Sequence, residues 1–165
     1  MESRIKGNKK IMVNLCGKCN VCCTQYRVDK NEVFWKDEDR ADGQTCEMLA
    51  EGQCSVYNKR PNACITFECL WLQLSKLIDD FPDEFRPDNL KLVVAVSHNK
   101  KTSKVDFKIR ELEEDILNFD SIDAVLNRFL QIVFKVAAQQ KMDSQVIIES
   151  FGRDTTNLLK QSIGR

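Results

Sequence analysis

The stretch that decides how this chain is read is CGKCNVCC, Cys16 to Cys23, where four thiols occupy eight positions. Cys16, Cys19 and Cys22 recur at every third residue, and Cys23 follows at once. The spacing carries chemistry because a Cys-x-x-Cys pair can bring two thiolates onto one ion, about 2.3 Å from each sulfur. Cys46, Cys54, Cys64 and Cys69 follow, and residues 70–165 hold no cysteine. Free cysteine packs as a small hydrophobe, and Cys46 or Cys54 alone would be read that way. Crowding of the whole set before residue 70 points instead to metal ligation.

Two conformations are open to residues 16–23. On a helix, Cys16, Cys19 and Cys23 form one stripe and Cys22 lies about 100° from Cys23. In an extended chain the adjacent pair points to opposite faces. Either way Cys22 and Cys23 do not serve one ion equally. They are expected to be divided between two sites, or between ligation and support.

Working outward, the leading residues MESRIKGNKKIMVNLCGKCN lack the apolar run of a signal peptide. Leu92–Val96 and Ile132–Ala138 are too short to span a bilayer. The expected compartment is the reducing cytoplasm, where a disulfide framework is not stable. Lys and Arg total 25, as do Asp and Glu, so the basic excess of a nucleic-acid binder is missing. Lys100, Lys101, Lys104, Lys108 and Arg110 read as a solvated hairpin turn.

At 165 residues the chain suits one domain able to bury its own core. The expected class is α+β: a small cysteine-rich, loop-dominated metal-binding half, followed by a β-hairpin and helices. Residues 1–80 form the cysteine-cluster region and 81–165 a supporting region, within one compact domain. Gly43, Gly52 and Pro61 mark turns in the first part. Phe67, Leu70, Trp71, Leu74, Leu77 and Ile78 recur at helical spacing and predict one helix over 62–78. FPDEFRPDN, residues 81–89, reads as a connecting loop because Pro82 and Pro87 restrict it. Beyond it, LKLVVAVS and KVDFKIREL read as strands around the turn HNKKTS, with Val105, Phe107 and Ile109 on one face. Residues 121–140 predict an amphipathic helix capped by Asp120 or Ser121. SQVIIES reads as a short strand, and residues 155–163 as a last helix.

Eight thiols can build two closed tetrahedral zinc sites. Cys-x2-Cys-x2-Cys with a distant fourth ligand is also a spacing of iron–sulfur clusters. The residues leave zinc and iron both open. Lys18, Arg27, Lys59 and Arg60 are the cations expected to offset thiolate charge.

These residues resemble the YkgJ-like family, a CxxCxxCC zinc- or iron-chelating domain. CGKCNVCC matches its signature, and CEMLAEGQCSVYNKRPNACITFEC is similar to its second block, with Cys46, Cys54, Tyr57, Arg60, Pro61, Cys64 and Cys69 on the pattern. The resemblance covers about residues 14 to 97. It implies metal chelation by the cysteines in a cytoplasmic bacterial protein and implies no particular reaction. Arg60 is read as a charge partner of the metal-bound thiolates, and Tyr57 as a hydrogen-bond donor to sulfur.

Other chemistry is sparse. His98, the single histidine, is expected in the turn after a strand, with no nucleophile placed for it. No Gly-rich phosphate loop occurs. Glu111, Glu113, Glu114 and Asp115 read as an acidic linker rather than an acid–base pair. The expectation is a metal-binding accessory or structural protein with no catalytic constellation; its partners are the metal ion and, left open, another protein, but neither nucleic acid nor membrane. The rivals are an iron–sulfur redox or electron-transfer protein and, less favoured, a thiol redox sensor using Cys22 and Cys23.

Overall fold

The structure is a computed structural model and describes residues 16–34, 38–118, 122–139 and 144–149. Its class is α+β. From a turn at residues 16–18 the chain enters a short helix, α1 (Val21–Gln25). A loop region leads to a small hairpin, β1 (Leu49–Ala50) and β2 (Gln53–Cys54). Glu51 and Gly52 connect these strands with φ of 51° and 75°. A two-residue hairpin turn of type I′ needs positive φ at both positions, which Gly52 takes without strain.

The single helix predicted over 62–78 is two helices, α2 (Asn62–Thr66) and α3 (Leu70–Leu77). The chain is extended at Phe67 and Cys69, and Cys69 makes an isolated antiparallel bridge with Ala95. A tertiary backbone pairing has displaced the local helical one. Leu70, Trp71, Leu72 and Leu74 are buried, whereas Leu77 and Ile78, expected on the apolar face, are 80% and 47% exposed.

Residues 81–89 also differ from the expected loop. Asp83–Phe85 forms a 3-10 turn and Pro87–Leu90 a one-turn helix, α4, with Pro82 just before the first and Pro87 at the start of the second. Proline is tolerated there because the first amides of a helix have no intrahelical acceptor. Phe85 is buried between Phe81 and Phe129, at 5.6 Å from each ring.

The main sheet comprises β3 (Leu92–Asn99), β4 (Lys104–Glu111) and β5 (Ser144–Glu149), in that spatial order. β3 and β4 are antiparallel, with Val94 opposite Ile109 and Val96 opposite Phe107. β4 and β5 are parallel and are connected through α5 (Ala124–Gln139), as a parallel pair requires. Leu92, Val93, Val94 and Ala95 are all buried, so both faces of β3 are covered here. The turn is narrower than expected: His98 lies inside β3, opposite Val105, and is exposed.

The predicted amphipathic helix is α5, with Leu126, Phe129, Leu130, Val133 and Ala137 buried. Its cap is Asp123, whose carboxylate accepts from the amides of Val125 and Leu126 at 2.8 and 2.9 Å. Asp120 and Ser121 lie outside the described residues, as does the helix expected over 155–163. Glu111 is not in an acidic linker. It ends β4, is 4% exposed and accepts the Leu117 amide at 2.6 Å.

The buried cluster runs from Val21 and Cys69 through α3 and the sheet to α5, drawing on both sides of residue 80. No helix among the described residues is long and apolar enough to cross a membrane. Phe129 is 2% exposed at the centre of this cluster. Phe129→Ala is expected to cost about 3–5 kcal/mol through lost transfer energy and the cavity left behind, read as a lower midpoint in urea denaturation followed by circular dichroism.

Candidate metal centre

Gly17, at φ +57°, turns the chain between Cys16 and Cys19, and the Cys19 amide donates to the Cys16 carbonyl at 3.0 Å. Only then does α1 begin. Cys16 and Cys19 therefore lie on the approach to the helix, while Cys22 and Cys23 lie within it. The stripe of Cys16, Cys19 and Cys23 that a continuous helix would make is not formed, because the turn at Gly17 intervenes. Cys22 and Cys23 diverge, by about 100° from helix geometry.

The remaining thiols arrive from separate elements. The Cys46 amide donates to the Cys23 carbonyl at 2.7 Å. The Leu49 amide donates to Cys46 at 3.0 Å, and Leu49 faces Cys54 across the hairpin. Cys64 lies in α2 and Cys69 at the start of α3. All eight predicted cysteines line one cavity of about 900 Å³. None is in a disulfide. As they stand, no three His, Cys, Asp or Glu side chains among the described residues are gathered tightly enough to hold an ion. The thiols share a cavity without converging on a point.

Burial is the first cause that raises the thiol pKa values. It pushes Cys22 well above the ordinary thiol range, and Cys69, Cys16, Cys19 and Cys23 add to it in that order. Cys69 rises to about 11, with its amide contact to Leu72 opposing and Cys19 and Cys16 reinforcing. Cys23 also rises to about 11, but its reinforcing neighbours are Cys46, Cys54 and Cys64. Burial likewise raises Cys16, Cys19 and Cys64. Such thiols are poor nucleophiles, and a metal ion that replaces their protons stabilises the thiolate form.

The cations beside them are partly those expected. Arg60 lowers Cys16 and Cys64, in each case against the larger effect of burial. Its guanidinium lies 3.8 Å from the centre of the Tyr57 ring, and its Nε donates to the Tyr57 carbonyl at 3.1 Å. Both residues line the cavity. Arg27 lines it too, whereas Lys18 and Lys59 are exposed outside it.

Arg40, which the sequence reading did not select, is the better-placed cation. It is 5% exposed and donates to the carbonyls of Cys22 and Cys23 at 3.2 Å each and to that of Tyr26 at 2.6 and 3.1 Å. Nothing in the flanking DEDRADG marks it, because the partners are backbone groups distant in sequence. Tyr26 is the other residue missed. Its ring packs 4.7 Å from Phe67 and 4.7 Å from the Arg110 guanidinium. Its buried hydroxyl has no hydrogen-bond partner among the described residues. Burial raises its pKa, Arg110 opposes this, and Cys22 and Cys69 are among the groups that add to the rise.

Comparison with protein families, with curated proteins and with solved structures finds no match to this chain. The chemistry of the donor set is therefore the guide. The cavity carries all eight thiols and the carboxylates of Glu32 and Glu68, with exposed His98 outside it. Thiolates suit soft or borderline ions, zinc and iron–sulfur centres among them. The unpartnered phenol of Tyr26 in the lining is a donor that an electron-rich sulfur could accept from.

Arg40 and Tyr26 make a contrasting pair. Arg40→Ala removes buried charge-assisted hydrogen bonds to three carbonyls, of which that of Cys23 keeps the Cys46 amide, and is expected to cost about 2–4 kcal/mol. Tyr26→Phe removes no hydrogen bond among the described residues, so the metal-free protein should change by less than about 1 kcal/mol or gain stability. Urea denaturation of both metal-free variants under reducing conditions distinguishes them.

Proposed function

We propose that this chain is a cytoplasmic metal-binding protein that chelates zinc or iron, the latter including an iron–sulfur cluster, through its eight cysteines. The observation that carries the reading is that all eight thiols, scattered over residues 16–69, line one cavity. The resemblance of the two cysteine blocks to the YkgJ-like chelating domain is part of this proposal and rests on the same eight cysteines. When bound, the metal supplies a closed thiolate centre that organises loops, or, as a cluster, a site that accepts and returns one electron. The chain's own residues deliver thiolates, exclude water and offset charge through Arg40 and Arg60. The role proposed is accessory or structural rather than hydrolytic.

Electron transfer is the second reading. The buried Tyr26 hydroxyl, in the lining of the thiol cavity and without a hydrogen-bond partner among the described residues, favours it, since a hydrogen bond from it to a cluster sulfur would tune the potential. Anaerobic purification of the full chain, with elemental analysis and an absorption spectrum, separates the readings. A colourless protein with stoichiometric zinc supports the structural role. A brown protein absorbing at roughly 400 nm supports a cluster. A metal-free protein with full secondary structure by circular dichroism refutes chelation.

Arg60 provides a further check. Arg60→Ala should accelerate metal loss to a competing chelator on the order of 10-fold, the scale seen for groups that support metal ligands, while Arg60→Lys keeps part of the effect. Equal release from all three proteins would return Arg60 to a purely packing role against Tyr57.

A further inference from the structure

We infer that the eight cysteines make two separate four-thiolate centres, Cys16, Cys19, Cys22 and Cys69 beside the hydrophobic core and Cys23, Cys46, Cys54 and Cys64 on the loop side. This deepens the metal-binding reading and rests on it. Each centre takes one soft divalent ion such as zinc, or one cluster of the four-cysteine kind.

The division begins at α1, where Cys22 and Cys23 are consecutive and face apart. Packing places three of the inner four. Cys69 belongs to the buried cluster together with Val21 and Leu70, and Cys16 and Cys19 pack against it. Cys46 is equally buried but lies outside that cluster. Backbone contacts assign the outer group: Cys46 is bonded to Cys23, and Leu49 links Cys46 to Cys54 across the hairpin. Cys22, facing away from Cys23 on α1, falls to the inner four, and Cys64, from α2 in the same cavity lining, completes the outer four.

Four thiolates around a divalent ion leave a net charge of about −2 at each centre. Arg40, which donates to the carbonyls of both Cys22 and Cys23, stands where the two groups meet, and Arg60 and Lys76 also line the cavity.

Counting metal in paired variants tests the division. The full chain is produced in zinc-supplemented medium, purified anaerobically with reductant, and analysed for metal per chain. The wild type should hold two zinc ions. Cys16→Ser/Cys19→Ser and Cys54→Ser/Cys64→Ser leave two thiols in one group, and each should hold one ion. The quadruple variant should hold none. If the protein carries iron, the same halving applies to its iron content. The substituted cysteines are half-buried, and circular dichroism checks the fold. Cys19→Ser/Cys22→Ser and Cys23→Ser/Cys64→Ser repeat the comparison for any pair that loses its helical signal. A wild type with one ion, or a double variant that keeps both or loses both, overturns the division while leaving chelation standing. A wild type without metal overturns the chelation reading itself.

Discussion

Adjacent residues on a helix cannot point the same way, and at Cys22–Cys23 that constraint governs the whole cysteine region. A helix of five residues has no stability of its own, because nucleation costs more than so few hydrogen bonds return. α1 exists because tertiary contacts hold it at both ends. Val21 enters the buried cluster at its start. At its end Arg40 donates to the carbonyls of Cys22, Cys23 and Tyr26, where the last carbonyls of a helix run short of intrahelical donors. The same guanidinium thus builds the helix terminus and puts positive charge beside Cys23 and Cys64.

The sheet half matters to the site through two straps. One is the bridge between Cys69 and Ala95 on the free edge of β3, which fixes the last cysteine to the most buried strand. The other is Arg110. From β4 it reaches the Gln25 carbonyl at 2.8 Å, Asp42 at 3.1 Å and Glu149 at 2.8 Å, and it covers the Tyr26 ring. Read from sequence as one of several cations around a solvated turn, Arg110 instead joins the end of α1, the loop near Asp42 and β5. Several partners at once hold its side chain in one geometry, so this strap ties three parts of the chain where an isolated exposed ion pair would contribute little.

Much of the fold was legible where side-chain period and burial agree. The alternation of Val105, Phe107 and Ile109, and the three-and-four spacing from Leu126 to Ala137, report directly which face is buried. The reading failed where a distant partner changed local structure. Phe67 to Cys69 continue a helical pattern, but pairing with β3 extends them and leaves Leu77 and Ile78 exposed. Asp123 caps α5, and among neighbouring residues with cap chemistry the spacing did not single it out. Arg40 and Tyr26 were invisible for the same reason: their meaning lies in backbone carbonyls and thiols that fold next to them.

The sequence by itself determined the inventory of the site, eight thiols before residue 70, and the divergence of Cys22 from Cys23, since both follow from residue type and spacing. Only the tertiary structure decided which thiols are neighbours and which cation serves them. Spacing along a chain limits what two nearby cysteines can reach together. The grouping of Cys69 with Cys16, or of Cys46 with Cys23, depends on a strand edge and a loop hydrogen bond that join residues far apart in sequence.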